Sequence, residues 1–561
     1  MTKRWVIAEP EPALAKTLAG ELHLALPITQ VLINRGYRTA EVASSFLNPQ
    51  LRQLGDPFEL PDMKAAVERI LAAIASKERI VIYGDYDVDG VTSSALLQLV
   101  LQAAVATVAN FLPQRAEEGY GLSPDGIARC IKEHKPQLLI AVDCGTSSVR
   151  EVAELQKHGV DTIVLDHHEP PQELPKCVAL VNPKRIAGSA LGVLASVGVS
   201  FKLAHALLKH EKKLAEQIDL REHLDLVAVG TVADIVPLTG ENRILVRAGL
   251  ERLPQTQKIG LRALMDIADV LDKVSPYHIG FRLGPRLNAA GRLADAMAAL
   301  ELLLTNDAAR ASELAKLLNE HNAKRQGIEE HMVEEAIAMA RANASDRVLV
   351  LAKKGWHVGV IGIVASRVLQ AFHRPTVVIG IEEGMGKWSC RSVSGFSIVG
   401  ALQHCAPLLE KFGGHEMAAG LSVKAGNVDE LRETLNEFAA RTLKDEDLQP
   451  QVRIDAVLKL DDLDADFFEQ LERLEPCGMD NPTPVFAVEG AQLRGKPRIV
   501  GKNHLRFTVT DGDTTVQAIW WGKGDFEFPE GAFDVAFMAE LNEYGGRESV
   551  QLKVRDIRAS S

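Results

Sequence analysis

Residues 80–94 read IVIYGDYDVDGVTSS, and this stretch decides the fold. The apolar run Ile80–Tyr83 is short, β-branched and closed by Gly84, so it reads as a buried strand; SSALLQLVLQ after it has helical period. The same alternation recurs in LLIAVDCG (138–145), VREVAELQKHG (149–159) and TIVLDHHEP (162–170). Strands and helices alternating from about 78 to 240 predict parallel βαβ units, hence a doubly wound α/β domain.

Each predicted strand ends on acid. Asp85, Asp87 and Asp89 alternate in a glycine-bounded turn, Asp143 follows LLIAV, and Asp166, His167 and His168 follow TIVL. The C-terminal edge of a parallel sheet is where α/β sites form, and carboxylates crowded there repel one another unless a cation neutralises them. Asp234 lies inside the apolar run LVAVGTVADIVPL (226–238), where a lone carboxylate is costly to bury. Any one of these residues also reads as a helix cap or a satisfied core histidine. All four segments on one predicted sheet edge read as a metal centre. Carboxylates mixed with imidazole favour Mn²⁺ or Mg²⁺, and a pair of such ions ~3.5–4 Å apart hydrolyses phosphate esters. No glutamate sits where an EF-hand needs one, and no GxxxxGK[ST] phosphate loop is present.

The remaining sequence bounds the partners. A net charge of −12 over 561 residues excludes a protein that coats nucleic acid, so any nucleic-acid site is local. The arginines of FRLGPRLNAAGR (281–292) and the basic stretch from Arg494 to Arg506 are the candidates. Six cysteines without a CxxC pair suggest neither zinc ribbon nor disulfide framework and fit a reducing cytoplasm. The N-terminus lacks a secretory pattern, and the longest uncharged stretch, 91–114, is too polar for a membrane span. Composition shifts predict five parts: an N-terminal helical segment (1–69), the α/β domain (70–285), a helical connector (286–344), a smaller α/β domain (345–444) and a β-domain (445–561). RFTVTDGDTTVQAIWW (506–521) is a hairpin candidate, and the short strands around it permit an OB-like barrel, an SH3-like barrel or a sandwich.

The four acidic motifs resemble those of the DHH phosphoesterase family, with LDHH at 165–168 its signature. FLPQRAEEGYGL (111–122), GPRLNAAGR (284–292), WHVGVIGIVASR (356–367), WSCRS (388–392), FGGHEMAAG (412–420) and NPTPVF (481–486) resemble its RecJ branch in order and spacing. The resemblance implies DHH, DHHA1 and OB-like domains, and a 5′→3′ exonuclease acting on single-stranded DNA in recombination and repair. It implies Asp85, Asp87, Asp89, Asp143, His167 and Asp234 as ligands of two Mn²⁺ or Mg²⁺ ions, with Asp143 the bridge. His168 would support the ions or contact the scissile phosphate, and Asp166 would orient a histidine. Arg115, Ser389 and Arg391 would bind the 5′-phosphate, and Arg286, Asn288 and Arg292 other phosphates. Tyr120 would either stack on a base or be an ordinary turn aromatic; Trp356, His357 and His415, in glycine-rich loops, would either close over the strand or pack. Trp388 and Cys390 depart from the family's small residues, so Trp388 would either narrow the 5′-phosphate pocket or give it a stacking face; Cys477 and Asp480 also depart from it. A single-stranded-DNA-binding protein and a helicase are the implied partners of a cytoplasmic monomer.

Overall fold

The computed structural model describes residues 3–114, 118–119, 121–270, 272–293, 295–544 and 547–560. These fall into two units, one formed by Glu11–Asn322 with Ala465–Thr483, the other by the residues before Glu11, Ala323–Asp464 and the chain from Pro484 onward. The N-terminal segment is not helical throughout: Arg4–Ile7 forms β1, parallel to β12 (Gln451–Ile454). Trp5 explains the departure. Its indole nitrogen donates to Asp556 at 2.8 Å and the Arg558 guanidinium lies 4.3 Å from its ring centre, anchoring this end on the β-domain.

In the first unit β2 (Arg79–Gly84), β3 (Thr107–Phe111), β4 (Leu138–Val142), β5 (Asp161–Leu165) and β6 (Ala179–Val181) form a parallel sheet in the order β3-β2-β4-β5-β6. Ile80 and Ile82 pack into one core with the helix Val88–Ala103, whereas Val81 and Tyr83 pack into another with Phe111 and Ile127. Both faces are therefore covered, which is why these strands read as unbroken apolar runs. From β2 the chain crosses to β3 on one side and returns to β4 on the other, so the topological switch point lies between β2 and β4. The register aligns Gly84 with Val142 and Val142 with Leu165. The residues that come next, Asp85, Asp143 and Asp166, thus leave three adjacent strands at one edge.

Asp234 reaches this edge by another route. LVAVGTVA is no strand but part of the buried helix Leu224–Ala233, whose C-cap is Asp234. A run that is apolar all round does not distinguish a strand from a buried helix.

The second unit holds β7 (Leu349–Lys354), β8 (Thr376–Glu382), β9 (Met385–Arg391), β10 (Leu409–His415) and β11 (Ala418–Lys424), in the order β10-β11-β9-β8-β7 with only β7 and β8 parallel. FGGHEMAAG is therefore a hairpin of β10 and β11, not a loop. The helix Ala308–Ala342 spans 35 residues, and the division between units falls within it.

The β-domain contains β13 (Ala456–Val457), β14 (Phe486–Leu493), β15 (Arg498–Val500), β16 (His504–Thr510), β17 (Thr515–Trp520), β18 (Phe533–Tyr544) and β19 (Arg547–Ala559). β14, β18, β19, β17 and β16 pair in turn, and β16 returns to β14 through Gln492 with Thr510 and Leu493 with Val509. The circuit is a closed five-stranded barrel with β17 and β19 parallel, an OB fold, which sets aside the sandwich. The stretch 445–561 is interrupted, because Ala465–Thr483 folds with the parallel-sheet unit. Among the described residues no helix is long and apolar enough to cross a membrane.

Candidate metal centre

The DVDG turn is shaped by its own acids. Asp87 caps the helix Val88–Ala103, one carboxylate oxygen accepting from the amides of Asp89 at 3.0 Å and Gly90 at 3.1 Å. Position 90 must be glycine, since a Cβ there would stand 2.5 Å from the Asp85 carbonyl oxygen. Asp89 accepts from the amides of Ser196 at 2.7 Å and Val197 at 2.8 Å, at the start of the helix Ser196–His210. Asp143 adopts φ 61°, a left-handed conformation that turns the chain sharply as it leaves β4.

Three overlapping groups of ligand atoms result, the atoms of each within 4.8 Å of one another: Asp85, Asp87 and Asp143; Asp89, His167 and Asp234; and Asp143, His167 and His168. His167 Nε2 lies 3.3 Å from Asp143, 3.5 Å from Asp234 and 3.9 Å from Asp89. Two separate triads are thus joined through Asp143 and His167. Asp166 faces the other way: it accepts from the amides of Thr146 at 2.9 Å, His167 at 2.8 Å and His168 at 3.1 Å, and from the His168 ring at 2.7 Å. It is the hub that shapes the LDHH turn, a supporting role of the kind that orients imidazole ligands.

Electrostatics distinguish the two kinds of acid. Burial, with repulsion from Asp87, pushes Asp85 well above the ordinary carboxylate range and Asp89 up to about 7. Burial and the surrounding acids do the same to Asp143, and burial with Asp89 and Asp87 pushes Asp234 up to about 9. Burial opposes charge on Asp166 as well, but its hydrogen bonds from His168 and Thr146 outweigh this and hold it well below the usual range. Burial likewise opposes charge on His168, and the bond to Asp166 overcomes it and raises its pKa. His167, buried and beside His168, is lowered to about 3 and is neutral at physiological pH, as a metal ligand must be.

The donor set fits a divalent ion. The buried Asp85 oxygens make no hydrogen bond of normal geometry, and neither does Asp234 Oδ2. Acids held in a state that favours protonation make the metal-free fold bind more protons than the unfolded chain, so that fold loses stability as pH rises from the ordinary carboxylate range through the raised values. A bound cation removes this penalty. Mn²⁺ is therefore expected to raise the melting temperature more at pH 8 than at pH 5; an ion at 100 times its Kd stabilises the fold by about 2.7 kcal/mol. Melting curves that respond equally at both pH values would overturn the assignment.

The other expected contacts divide. Ser389 and Arg391 lie on β9 with one another, the guanidinium donating to Ser389 Oγ at 3.0 Å and to the Cys390 carbonyl at 2.7 Å. Gly362, in the first turn of the helix Ile361–Phe372, faces them: a Cβ there would stand 3.2 Å from Ser389 Oγ and 3.4 Å from Arg391 Nη2. Trp388 and Cys390 take the opposite face of the strand and are buried in the core with Val377 and Ile379, so Trp388 neither narrows nor lines the side of β9 that presents Arg391. Trp356 is core as well, buried and donating to Glu335 at 2.8 Å, in keeping with the packing alternative. His357 and His415 are exposed.

Asn288 accepts from the Val88 amide through Oδ1 at 3.2 Å and so helps to position the acidic turn. Arg286 is half-buried, donating to Asn319 at 3.0 Å and to the Arg282 carbonyl at 2.7 Å, and Arg292 is half-buried. Arg115 and Tyr120 lie outside the described residues. Sequence reading missed the Ser196 and Val197 amides, Gly362, and Asn182, which donates to Thr146 at 2.9 Å and to the His168 carbonyl at 2.8 Å. Of these only Asn182 carried a signal, as a polar residue ending the apolar run of β6.

The profile of the DHH family, N-terminal domain, matches residues 79–231, that of the DHHA1 domain 345–441, and that of the RecJ OB domain 454–556. The single-stranded-DNA-specific exonuclease RecJ of Bacillus subtilis is 39% identical over 99% of this chain and 71% of its own length. That of Dickeya dadantii is 36% identical over 96% of this chain and 98% of its own. The crystal structure of RecJ in complex with Mn²⁺ from Thermus thermophilus matches with a TM-score of 0.87 at 31% identity, covering 100% of this chain and 80% of that one. The Mg²⁺ complex of the same protein matches with a TM-score of 0.80 at 30% identity, covering 100% and 79%. Three domains in the same order, relatives at this identity over nearly the full length, and a parallel sheet whose edge gathers the acids all agree: the chain belongs to the RecJ family of single-stranded-DNA-specific exonucleases.

Proposed function

We propose that this chain removes nucleotides from the 5′ end of single-stranded DNA and releases 5′-mononucleotides, with two Mn²⁺ or Mg²⁺ ions held by Asp85, Asp87, Asp89, Asp143, His167 and Asp234. The observation that carries this reading is the pair of acidic triads joined through Asp143 and His167. Bound there, divalent ions lower the pKa of water and neutralise the charge that builds on the phosphate. The chain's own residues do the rest. Asp143, shared between groups, fixes the spacing of the two triads. Asp166 holds the His168 ring through Nδ1, which leaves Nε2 as the nitrogen that can hydrogen-bond a phosphate oxygen or give a proton to the departing 3′ oxygen.

Water's oxygen bonds to phosphorus, the bond from phosphorus to the 3′ oxygen of the first nucleotide breaks, and that oxygen leaves as a hydroxyl. The phosphate stays on the strand, so every cut regenerates a 5′-phosphate. Arg115, Ser389 and Arg391 are the proposed seat of that group, a guanidinium offering a planar fork to its oxygens. The OB barrel holds the rest of the strand. Because duplex is refused, ends must be supplied unwound, and the reading includes a helicase, a single-stranded-DNA-binding protein and a cytoplasmic monomer as the working form.

The test is mononucleotide release from 5′-phosphorylated single strands, duplex and RNA, each with Mn²⁺, Mg²⁺ or chelator. Cleavage of single strands only, and only with metal, is expected; release in chelator, or equal cleavage of duplex, overturns the reading. Arg391→Ala should lower kcat/KM on 5′-phosphorylated strands by about 10- to 100-fold and leave 5′-hydroxyl strands nearly as before, since one charged hydrogen-bonding group is worth about 1.5–3 kcal/mol. Equal losses on both substrates would remove Arg391 from the 5′ pocket.

A further inference from the structure

The helix that carries Asn288 begins with a surface that neither packing nor the metal centre uses. Tyr277 and Phe281 are 59% and 68% exposed, and their rings stack with centres 5.0 Å apart and planes at 26°. Ile279 and Leu283, interleaved with them, are fully buried, so the aromatic pair is the outward side of a firmly anchored turn. That turn, Ile279–Leu283, is π-helical and leads directly into the helix Gly284–Leu293. Wide turns of this kind concentrate at functional sites, and adjacent large rings left in water mark a binding face.

Charge indicates what that face would hold. Between Asp272 and Asp295 the chain carries Lys273, Arg282, Arg286 and Arg292 and no acid, and of these Lys273 is paired with Glu472 at 2.7 Å, so the arginines supply the local charge. Arg282 reaches back to Asp269 at 3.5 Å, while the Arg286 guanidinium is held by neutral acceptors, Asn319 and the Arg282 carbonyl, and faces no carboxylate in those bonds. A ligand that offers flat rings to the aromatics and phosphates to the arginines is single-stranded nucleic acid. Position in the chain supports the same occupant. From Phe281 to Asn288 the helix rises about 10 Å, and Asn288 holds the Val88 amide between Asp87 and Asp89.

We propose that Tyr277 and Phe281 form a base-stacking step that grips the strand a few nucleotides to the 3′ side of the scissile phosphate, an inference that rests on the nuclease reading above. The step would slow slippage of the strand between cuts without touching the reacting atoms.

The test uses full-length protein carrying Asp143→Ala, so that strands bind without being consumed, and 5′-phosphorylated strands with a single 2-aminopurine at successive positions. Quenching at one or two adjacent positions is expected, lost when Tyr277→Ala and Phe281→Ala are added and kept with Tyr277→Phe. In active protein the double alanine variant should raise KM for a long strand about tenfold, with the loss shrinking as the strand is shortened to a dinucleotide. Unchanged quenching at every position in the double variant overturns the proposal. So does normal cleavage of naked DNA coupled to loss of a protein partner, which would assign the face to protein. Should the double variant fail to fold, Phe281→Leu alone decides: reduced quenching supports the step, unchanged quenching overturns it. Failure of the nuclease reading is separate, because the unaltered protein would then release no mononucleotide from any strand.

Discussion

Asp143→Ala should lower the rate of mononucleotide release by about a thousandfold or more, while affinity for single-stranded DNA measured in chelator changes by less than about threefold. Asp143 is the acid that two of the ligand groups share, and it stands 3.3 Å from the imidazole that belongs to the third. Losing it disrupts both proposed ion positions, whereas losing Asp87 or Asp234 touches one. Its backbone is left-handed at φ 61°, a conformation that costs alanine about 1 kcal/mol more than aspartate or asparagine, so Asp143→Ala alone would confound strain with chemistry. Asp143→Asn separates them: it preserves shape and backbone preference and removes only the charge. The asparagine variant should be nearly as inactive as the alanine one, with a melting temperature in chelator no lower than that of the unaltered protein, because a buried repelling charge has gone. Retention of more than about a tenth of the activity by Asp143→Asn would show that this acid is no bridge between ions.

Most of that centre was legible because three of its acids follow apolar strands, and parallel register turns equivalent strand ends into neighbours. Gly84, Val142 and Leu165 align, so motifs 58 and 23 residues apart in the chain converge on one edge. Asp234 was legible as a costly acid but not as a helix C-cap, since the all-apolar run before it lacks a period that separates helix from strand. Trp388 shows the opposite failure. Side-chain alternation along β9 puts it in the core and Ser389 and Arg391 on the other face, yet alternation is visible only once the strand's limits are known. The bond of Asn288 to the Val88 amide was not legible, because main-chain partners leave no trace in composition. The barrel's closure was illegible for a related reason: it depends on two residue pairs between β14 and β16, and a strand pattern does not say which edges meet.

The residue least visible in sequence has the largest expected effect on stability. Arg243→Met should destabilise the parallel-sheet unit by about 3–5 kcal/mol, with early protease cleavage within residues 465–483. Arg243 is 2% exposed and faces no carboxylate in its hydrogen bonds; it donates to five carbonyls, those of Phe46 at 2.9 Å, Arg473 at 2.9 Å, Leu474 at 3.0 Å, Glu475 at 2.8 Å and Pro476 at 3.3 Å. Its guanidinium also lies 3.8 Å from the centre of the Phe46 ring. Burial lowers its pKa to about 10, still well above neutrality, so the charge persists and strengthens each bond. The four carbonyls from Arg473 to Pro476 leave the helix Ala465–Glu472 with no helical partner of their own, and this side chain gathers them. Methionine keeps the apolar stem and supplies no donor: the Leu474 and Pro476 carbonyls keep Asn481, at 3.0 and 2.8 Å, and Glu475 keeps Arg247 at 3.1 Å, while the Phe46 and Arg473 carbonyls lose the Arg243 donor. Arg243→Lys should rescue little, because one ammonium cannot reach five acceptors spread around a planar fork. The chain on either side of 465–483 belongs to the β-domain's unit, so this turn is where that chain returns to the parallel sheet's unit, and its release should appear in proteolysis before global melting. A variant that melts and resists protease like the unaltered protein would show that the remaining contacts of the segment, such as Gln470 with the Ala25 amide at 2.7 Å, hold it without Arg243.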